Sequence, residues 1–275
     1  MRKILPISII LIFILIGGYY INKSTIDNKD IEIPTLMYHH FDDDRKNIND
    51  MTVQTSEFDK QIKYLKENGY TAISLSDLND FIENKKRVPK KPILITIDDG
   101  YKSNYDIMYP IIKKYKMKAT IFVIGERIDN ANKKSNAIPK FNWKQAKEMH
   151  DSNIIDIECH TYDSHKRDEI EGVEKSIFAN PMPNESNEGF KQRIIEDVKK
   201  NIYTIQKNIG YTPIALAYPY GEFNEEIDEL LKDMGIKYTF LASGGKETKM
   251  ENKHLLKRIP VNGCYSINEF KKMLN

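Results

Sequence analysis

Cysteine is nearly absent from the 275 residues: there are two, Cys159 and Cys264. Two cysteines cannot build a disulfide framework. The fold must rest on a core, and the 40% of hydrophobic residues can supply one. A surplus of one charge is also missing. Lysine and arginine number 42 against 40 aspartate and glutamate, a formal net charge of +2. A nucleic-acid surface needs a strong basic excess, so that class is set aside. Lysine-rich stretches such as NKKRVPKK, residues 84–91, read as solvated surface. No internal repeat or low-complexity tract is present, and long apolar runs are missing except at the start.

There, Arg2 and Lys3 precede an apolar stretch over residues 4–21. Its length, about 18 residues, is at the short end of what spans a bilayer as a helix. A cleaved signal peptide has a shorter apolar core and an A-x-A-like site; only IGGYY is found here. Residues 1–23 are therefore expected to be an uncleaved signal anchor. The cationic flank stays inside, which places the rest on the outer face of the cell membrane, or secreted if the segment is cut. No cysteine follows the run to carry a lipid. Residues 24–32 are polar and read as a tether, and residues 33–275 as one domain.

That domain alternates short apolar runs with helical patterns. The runs are residues 33–38, 70–74, 92–97, 118–125, 154–159, 213–218, 237–242 and 255–261. Between them, SEFDKQIKYLKENG puts Phe58, Ile62 and Leu65 on one face, with Ser56 as its N-cap and Gly69 as its stop. A longer amphipathic pattern ends at Gly210, and a further one, EEIDELLKDMG, at Gly235. Alternation of this kind implies a parallel sheet. The expected class is α/β, a distorted (β/α) barrel of about seven strands following the N-terminal anchor helix. In such a barrel the site lies at the C-terminal ends of the strands.

Polar residues gather where the apolar runs end. His39 and His40 follow PTLMY, and Asp98 and Asp99 follow the run at 92–97. His160 follows IIDIEC, with His165 five positions on, and YPYG, residues 218–221, follows PIALA. Two imidazoles and a carboxylate suit Zn²⁺ or a similar ion with an open position. A five-residue spacing on a helix would put the histidines on different faces, so they fit a strand end and a loop. Alone, the pair reads equally as an exposed loop. Asp98 and Asp99 could supply one ligand and one proton acceptor, provided the chain bends at Gly100. Alone, DDG is more often a turn. Cys159 precedes His160, but strand neighbours point to opposite faces, so it is expected to pack in the core.

TIDDG, HTYDSH and YPYG, in this order, resemble the polysaccharide deacetylases, the NodB-homology or carbohydrate esterase family 4, over residues 33–262. LMYHHF and AYPYG are most similar to the branch of poly-N-acetylglucosamine (intercellular adhesin) deacetylases. The resemblance implies a distorted (β/α) barrel. It implies Asp99, His160 and His165 as ligands of a divalent metal, Zn before Co or Ni, with Asp98 as catalytic base. It gives the backbone N–H of Tyr220 a place in the oxyanion hole. Two departures stand out. Most members carry a base-orienting Arg where this chain has Ala217, and a C-terminal histidine acid that LLKRIPVNGC lacks. In the adhesin branch a histidine near the start of the domain serves as acid, which points to His39, with His40 as rival.

Arg258 lies mid-strand, where a charge is costly unless paired; pairing with Asp98 would replace the missing Arg. His254 precedes its strand, on the wrong face of the barrel. His40 and Trp143, the only tryptophan, could rim a sugar groove, as could residues 176–190, although Trp143 at a helix start reads equally as packing. DDDR, residues 42–45, reads as solvated. The expected activity is metal-dependent removal of acetyl groups from N-acetylglucosamine units of an extracellular polysaccharide, by a monomer. Peptidoglycan is the alternative polymer. A catalytically weak carbohydrate-binding protein is the alternative class.

Overall fold

The computed structural model describes residues 33–83, 86–134, 136–245 and 253–274. The expected anchor and tether, residues 1–23 and 24–32, lie outside these. Among the described residues no helix is long and apolar enough to cross a membrane.

Seven parallel strands close a barrel: β1 (Thr35–Tyr38), β2 (Pro92–Asp98), β3 (Ala119–Val123), β4 (Ile155–Cys159), β5 (Ala215–Ala217), β6 (Tyr238–Gly244) and β7 (Leu256–Pro260). Around the ring the order is β1, β7, β6, β5, β4, β3, β2 and back to β1. Leu36 of β1 pairs with Ile259 on one side and Ile95 on the other, which is the closure. The barrel expected from the sequence is therefore the one formed. The run at 70–74 contributes only Thr71–Ala72, paired to the start of β2 outside the ring.

The strands read as nearly unbroken apolar runs because both faces are covered. Alternate residues go to two separate clusters. Leu36, Ile95, Ile121, Ile157 and Leu216 pack outward under the helices. Leu94, Phe122, Ala217, Phe240 and Leu256 fill the interior. The helix Leu75–Ile82, entered through a capping box at Ser74 and Asp77, adds Leu75, Leu78 and Phe81 to that inner cluster.

Outside, the helix Thr55–Glu67 buries Phe58, Ile62 and Leu65 as its spacing predicts. Each such side chain contributes roughly 1.5–3 kcal/mol. Ser56 is not its cap: the helix continues directly from the short strand Thr52–Gln54, so Gln54 holds the cap position without a side-chain bond. The helix Asn187–Ile209 starts where the Ser186 side chain accepts the Gly189 N–H, and ends at Gly210 with φ 84°. A hairpin also escaped the sequence reading. Arg167–Ile170 and Val173–Ser176 form an antiparallel hairpin. Its turn places Glu171 at φ 56° and Gly172 at φ 78°, the left-handed pair that matches strand twist.

Candidate active site

The three motifs share a backbone device. Just past its strand, each turns through a left-handed residue that is not glycine: Asp99 at φ 74°, Thr161 at φ 70° and Tyr220 at φ 60°. Such a conformation costs about 1–2 kcal/mol per residue, so the surrounding barrel must hold it. The bend expected at Gly100 begins one residue earlier, at Asp99, and continues through Gly100 at φ 72°. A Cβ at Gly100 would lie 2.7 Å from Ile128 Cδ1, so the turn is tightly seated. It aims two neighbouring carboxylates, which a strand would send apart, at one place.

Asp99, His160 and His165 each offer one ligand atom, and these atoms lie within 4.8 Å of one another. The Nε2 atoms of His160 and His165 are 3.7 and 3.6 Å from Asp99 Oδ1. That oxygen is buried without a hydrogen-bond partner, a costly state for a carboxylate that a bound cation would relieve. His160 Nδ1 lies 2.8 Å from the Ala217 carbonyl. A carbonyl can only accept, so the proton is on Nδ1 and Nε2 keeps its lone pair. Burial, reinforced by His160 and only partly offset by Asp99, pushes His165 down to about 3 and keeps it in the neutral, ligating form. The donor set fits a divalent ion.

Asp98 stands beside this trio. Arg258 holds it with a fork: Nη1 to Oδ1 at 2.7 Å and Nη2 to Oδ2 at 2.8 Å. Arg258 is fully buried, with Nε donating to the Leu241 carbonyl at 2.6 Å. Burial alone would raise the Asp98 carboxyl. Arg258, His160 and His39 outweigh it, and the group is held below the usual carboxylate range. The guanidinium comes from β7, two strands round the ring from Ala217 on β5. His39 Nε2 lies 3.9 Å from Asp98 Oδ2, and the Asn104 amide fixes the His39 carbonyl at 2.7 Å. Burial lowers the His39 imidazole, against the pull of Asp98 and Asp99.

His40 points elsewhere. Its Nδ1 lies 3.3 Å from Thr52 Oγ1 and its ring packs edge-on to Tyr101. It lines a neighbouring cavity of about 640 Å³ with Asp42, Lys46 and Ile138. The Tyr220 ring packs against His165 at 4.6 Å between centres, tilted by 51°, with the Arg167 guanidinium over its own ring. The Trp143 indole donates to Asp129 Oδ1 at 2.7 Å and packs on the core; none of its described contacts is with the cluster. His254 pairs with Asp228 at 2.9 Å, away from the mouth. Cys159 is buried and unpaired with Cys264. The acidic run is a turn, Asp42 accepting the Asp44 N–H and Asp44 capping Arg45–Asn47.

Sequence reasoning missed two supports of the site. Asp197, on the helix Asn187–Ile209, accepts the N–H groups of Tyr162, Asp163 and Ser164 at 2.7, 2.8 and 2.9 Å, and the Ser164 hydroxyl at 2.9 Å. One carboxylate thus holds the loop between the two histidines. Tyr101, beside the bend, lies next to Asp99, and burial together with that carboxylate pushes its phenol up. Nothing in an amphipathic helix pattern marks Asp197 off from its solvated neighbours. Tyr101 carried a signal, standing next to DDG.

Known proteins resemble this chain in sequence and in fold. A Staphylococcus aureus (strain MSSA476) protein named poly-beta-1,6-N-acetyl-D-glucosamine N-deacetylase is 27% identical over 274 residues, covering 93% of this chain and 90% of its own. A solved de-N-acetylase from Aggregatibacter actinomycetemcomitans superposes with a TM-score of 0.81 at 25% identity, over 89% of this chain and 100% of that one. IcaB from Ammonifex degensii, at 24% identity, shares the fold with a TM-score of 0.73, over 89% and 96%. Residues 85–239, more than half of the chain, match the polysaccharide deacetylase family, and the protein belongs to that family.

Proposed function

We propose that this protein is a metal-dependent N-deacetylase of N-acetylglucosamine units in an extracellular polysaccharide of the poly-N-acetylglucosamine type. One observation carries the reading: a buried carboxylate gripped by a buried arginine stands against a two-histidine, one-aspartate cluster whose carboxylate oxygen is orphaned. The name of the staphylococcal relative supports the choice of polymer.

Asp99, His160 and His165 would hold the metal, with Zn first and Co or Ni as substitutes. When bound, it polarises the acetamide oxygen and acidifies water. The chain's own groups do the rest. Asp98, kept ionised and in place by Arg258, takes a proton from the attacking water as its oxygen bonds to the acetamide carbon. The Tyr220 N–H donates to the oxyanion that develops. His39, in reach of Asp98, returns the proton to the amide nitrogen as the C–N bond breaks. Acetate and a free amine leave. At neutral pH the amine is cationic, so the reaction puts positive charge on the polymer.

The apolar run at residues 4–21 supports attachment to the outer face of the membrane, where such a polymer is met. The test is acetate release from β-1,6-linked N-acetylglucosamine oligomers with Zn²⁺, Co²⁺ or Ni²⁺ supplied, run beside peptidoglycan fragments. Release from the oligomers alone is expected. Release from peptidoglycan alone would replace the polymer, and no release from either would end the reading.

A further inference from the structure

Beside the metal cluster opens a cavity of about 600 Å³, lined by Arg127, Lys133, Lys134 and Lys140 and by a single acid, Glu126. The Glu126 carboxylate is already engaged by the Asn130 amide. None of the four basic side chains forms an ion pair among the described residues. Arg127 reaches only the His165 carbonyl, at 3.4 Å. Lys140 Nζ is buried without a hydrogen-bond acceptor and sits 3.2 Å from the centre of the Tyr101 ring.

Unpaired cations on an open surface mean little, because water solvates them. These differ in two respects. One, Lys140, is buried and short of an acceptor, a costly state for a polar donor. They also converge on a concavity large enough for a sugar unit, whose inner edge is Arg127 beside His165 and Lys140 beside Tyr101, a neighbour of Asp99. An unsubstituted N-acetylglucosamine unit offers no group that matches these basic side chains. A carboxylate does.

We propose that this cavity is an anion-binding subsite, which receives an acidic substituent on a sugar adjoining the one that loses its acetyl group. The proposal rests on the glycan reading above. The chemistry it assigns is charge-assisted hydrogen bonding from Arg127 and Lys140 to a carboxylate, with Lys133 and Lys134 at the rim. The same chemistry would suit released acetate, and the experiment separates the two sources.

Full-length, zinc-loaded protein is assayed on unsubstituted and O-carboxymethylated N-acetylglucosamine oligomers of equal length. The charged oligomer is expected to show a kcat/KM about tenfold higher at low salt. The ratio should fall towards one in 0.5 M NaCl, in Arg127→Gln, and in the rim double variant Lys133→Gln/Lys134→Gln, which leaves the buried groups alone. A wild-type ratio of one, or a ratio both variants leave intact, overturns the subsite. Weaker inhibition by sodium acetate in Arg127→Gln than in wild type would give the cavity to the product and overturn the substrate assignment. If neither oligomer is deacetylated, the enzymatic reading fails. Calorimetric binding of the same two oligomers then decides the subsite: tighter binding of the charged one upholds it, and equal binding ends it.

Discussion

Two floors of one barrel carry buried carboxylates, and they are finished differently. Deeper in the interior, on β4, Glu158 accepts the Tyr211 hydroxyl and the N–H groups of Ile214 and Ala215, all at 2.8 Å. Asp156 accepts the Leu75 N–H at 2.8 Å, at the start of the helix Leu75–Ile82. At the mouth, Asp98 is clamped by Arg258 while Asp99 leaves an oxygen bare. Burial pushes Glu158 and Asp156 up. At Asp98 and Asp99 nearby positive and histidine groups overcome burial and pull the carboxyls down. A fully bonded interior acid is a strut between strands. An acid kept ionised with coordination to spare is a tool.

The sharpest way to break this contrast is Asp98→Asn. As the base, it should lose about 10²–10⁴-fold in acetate release while zinc content by atomic absorption stays at one per chain. Loss of zinc would make Asp98 a ligand instead. Arg258→Met comes next. It strands a buried carboxylate, so calorimetry should show a loss of about 3–5 kcal/mol, with kcat falling more than KM changes. Asp197→Asn should weaken zinc affinity by about 10–100-fold with the circular dichroism spectrum unchanged. An unaltered Kd would show that the histidine loop holds its shape without that carboxylate.

The smallest effect belongs to the strut. Glu158→Gln should cost about 1–2 kcal/mol at pH 5 and leave zinc content alone. The sign of its pH dependence follows from the raised pKa. A carboxyl favoured in its protonated form when folded contributes fully at pH values below the unfolded value of about 4.3. That contribution is lost as pH rises from there towards the folded value, so the variant's deficit should shrink between pH 5 and pH 8. Asp98 and Asp99 slope the other way: their contribution is present above about 3.9 and is lost as pH falls below it. A deficit that grows with pH would show Glu158 to be ionised in place, and the contrast between the floors would collapse.

Much of this was legible in the sequence because the chemistry is contiguous. DDG, HTYDSH and YPYG each occupy a strand end, and apolar runs mark the strands. Arg258 could be singled out because a charge inside an apolar run needs a partner. The choice between His39 and His40 was not legible, since neighbours differ only in where the backbone aims them; the fold turns His39 to Asp98 and His40 to Thr52. Asp156 and Glu158 left a sign that went unread, two acids alternating through IIDIEC. Asp197 left none, because three of its four bonds are to backbone N–H, which every residue type but proline presents. The hairpin at residues 167–176 was hidden by charge: its exposed strands carry no apolar alternation.

The clamp on the base joins positions 160 apart, and the strand that brings Arg258 is also the one that shuts the ring against β1. A chain delivered across a membrane from its N-terminus would already carry Asp98, Asp99, His160 and His165 outside while the last strand was still in transit. Until that strand docks, the carboxylate has no guanidinium to steady it and the ring has a gap. A chain cut short before residue 258 would therefore lack both the clamp on Asp98 and the strand that closes the ring.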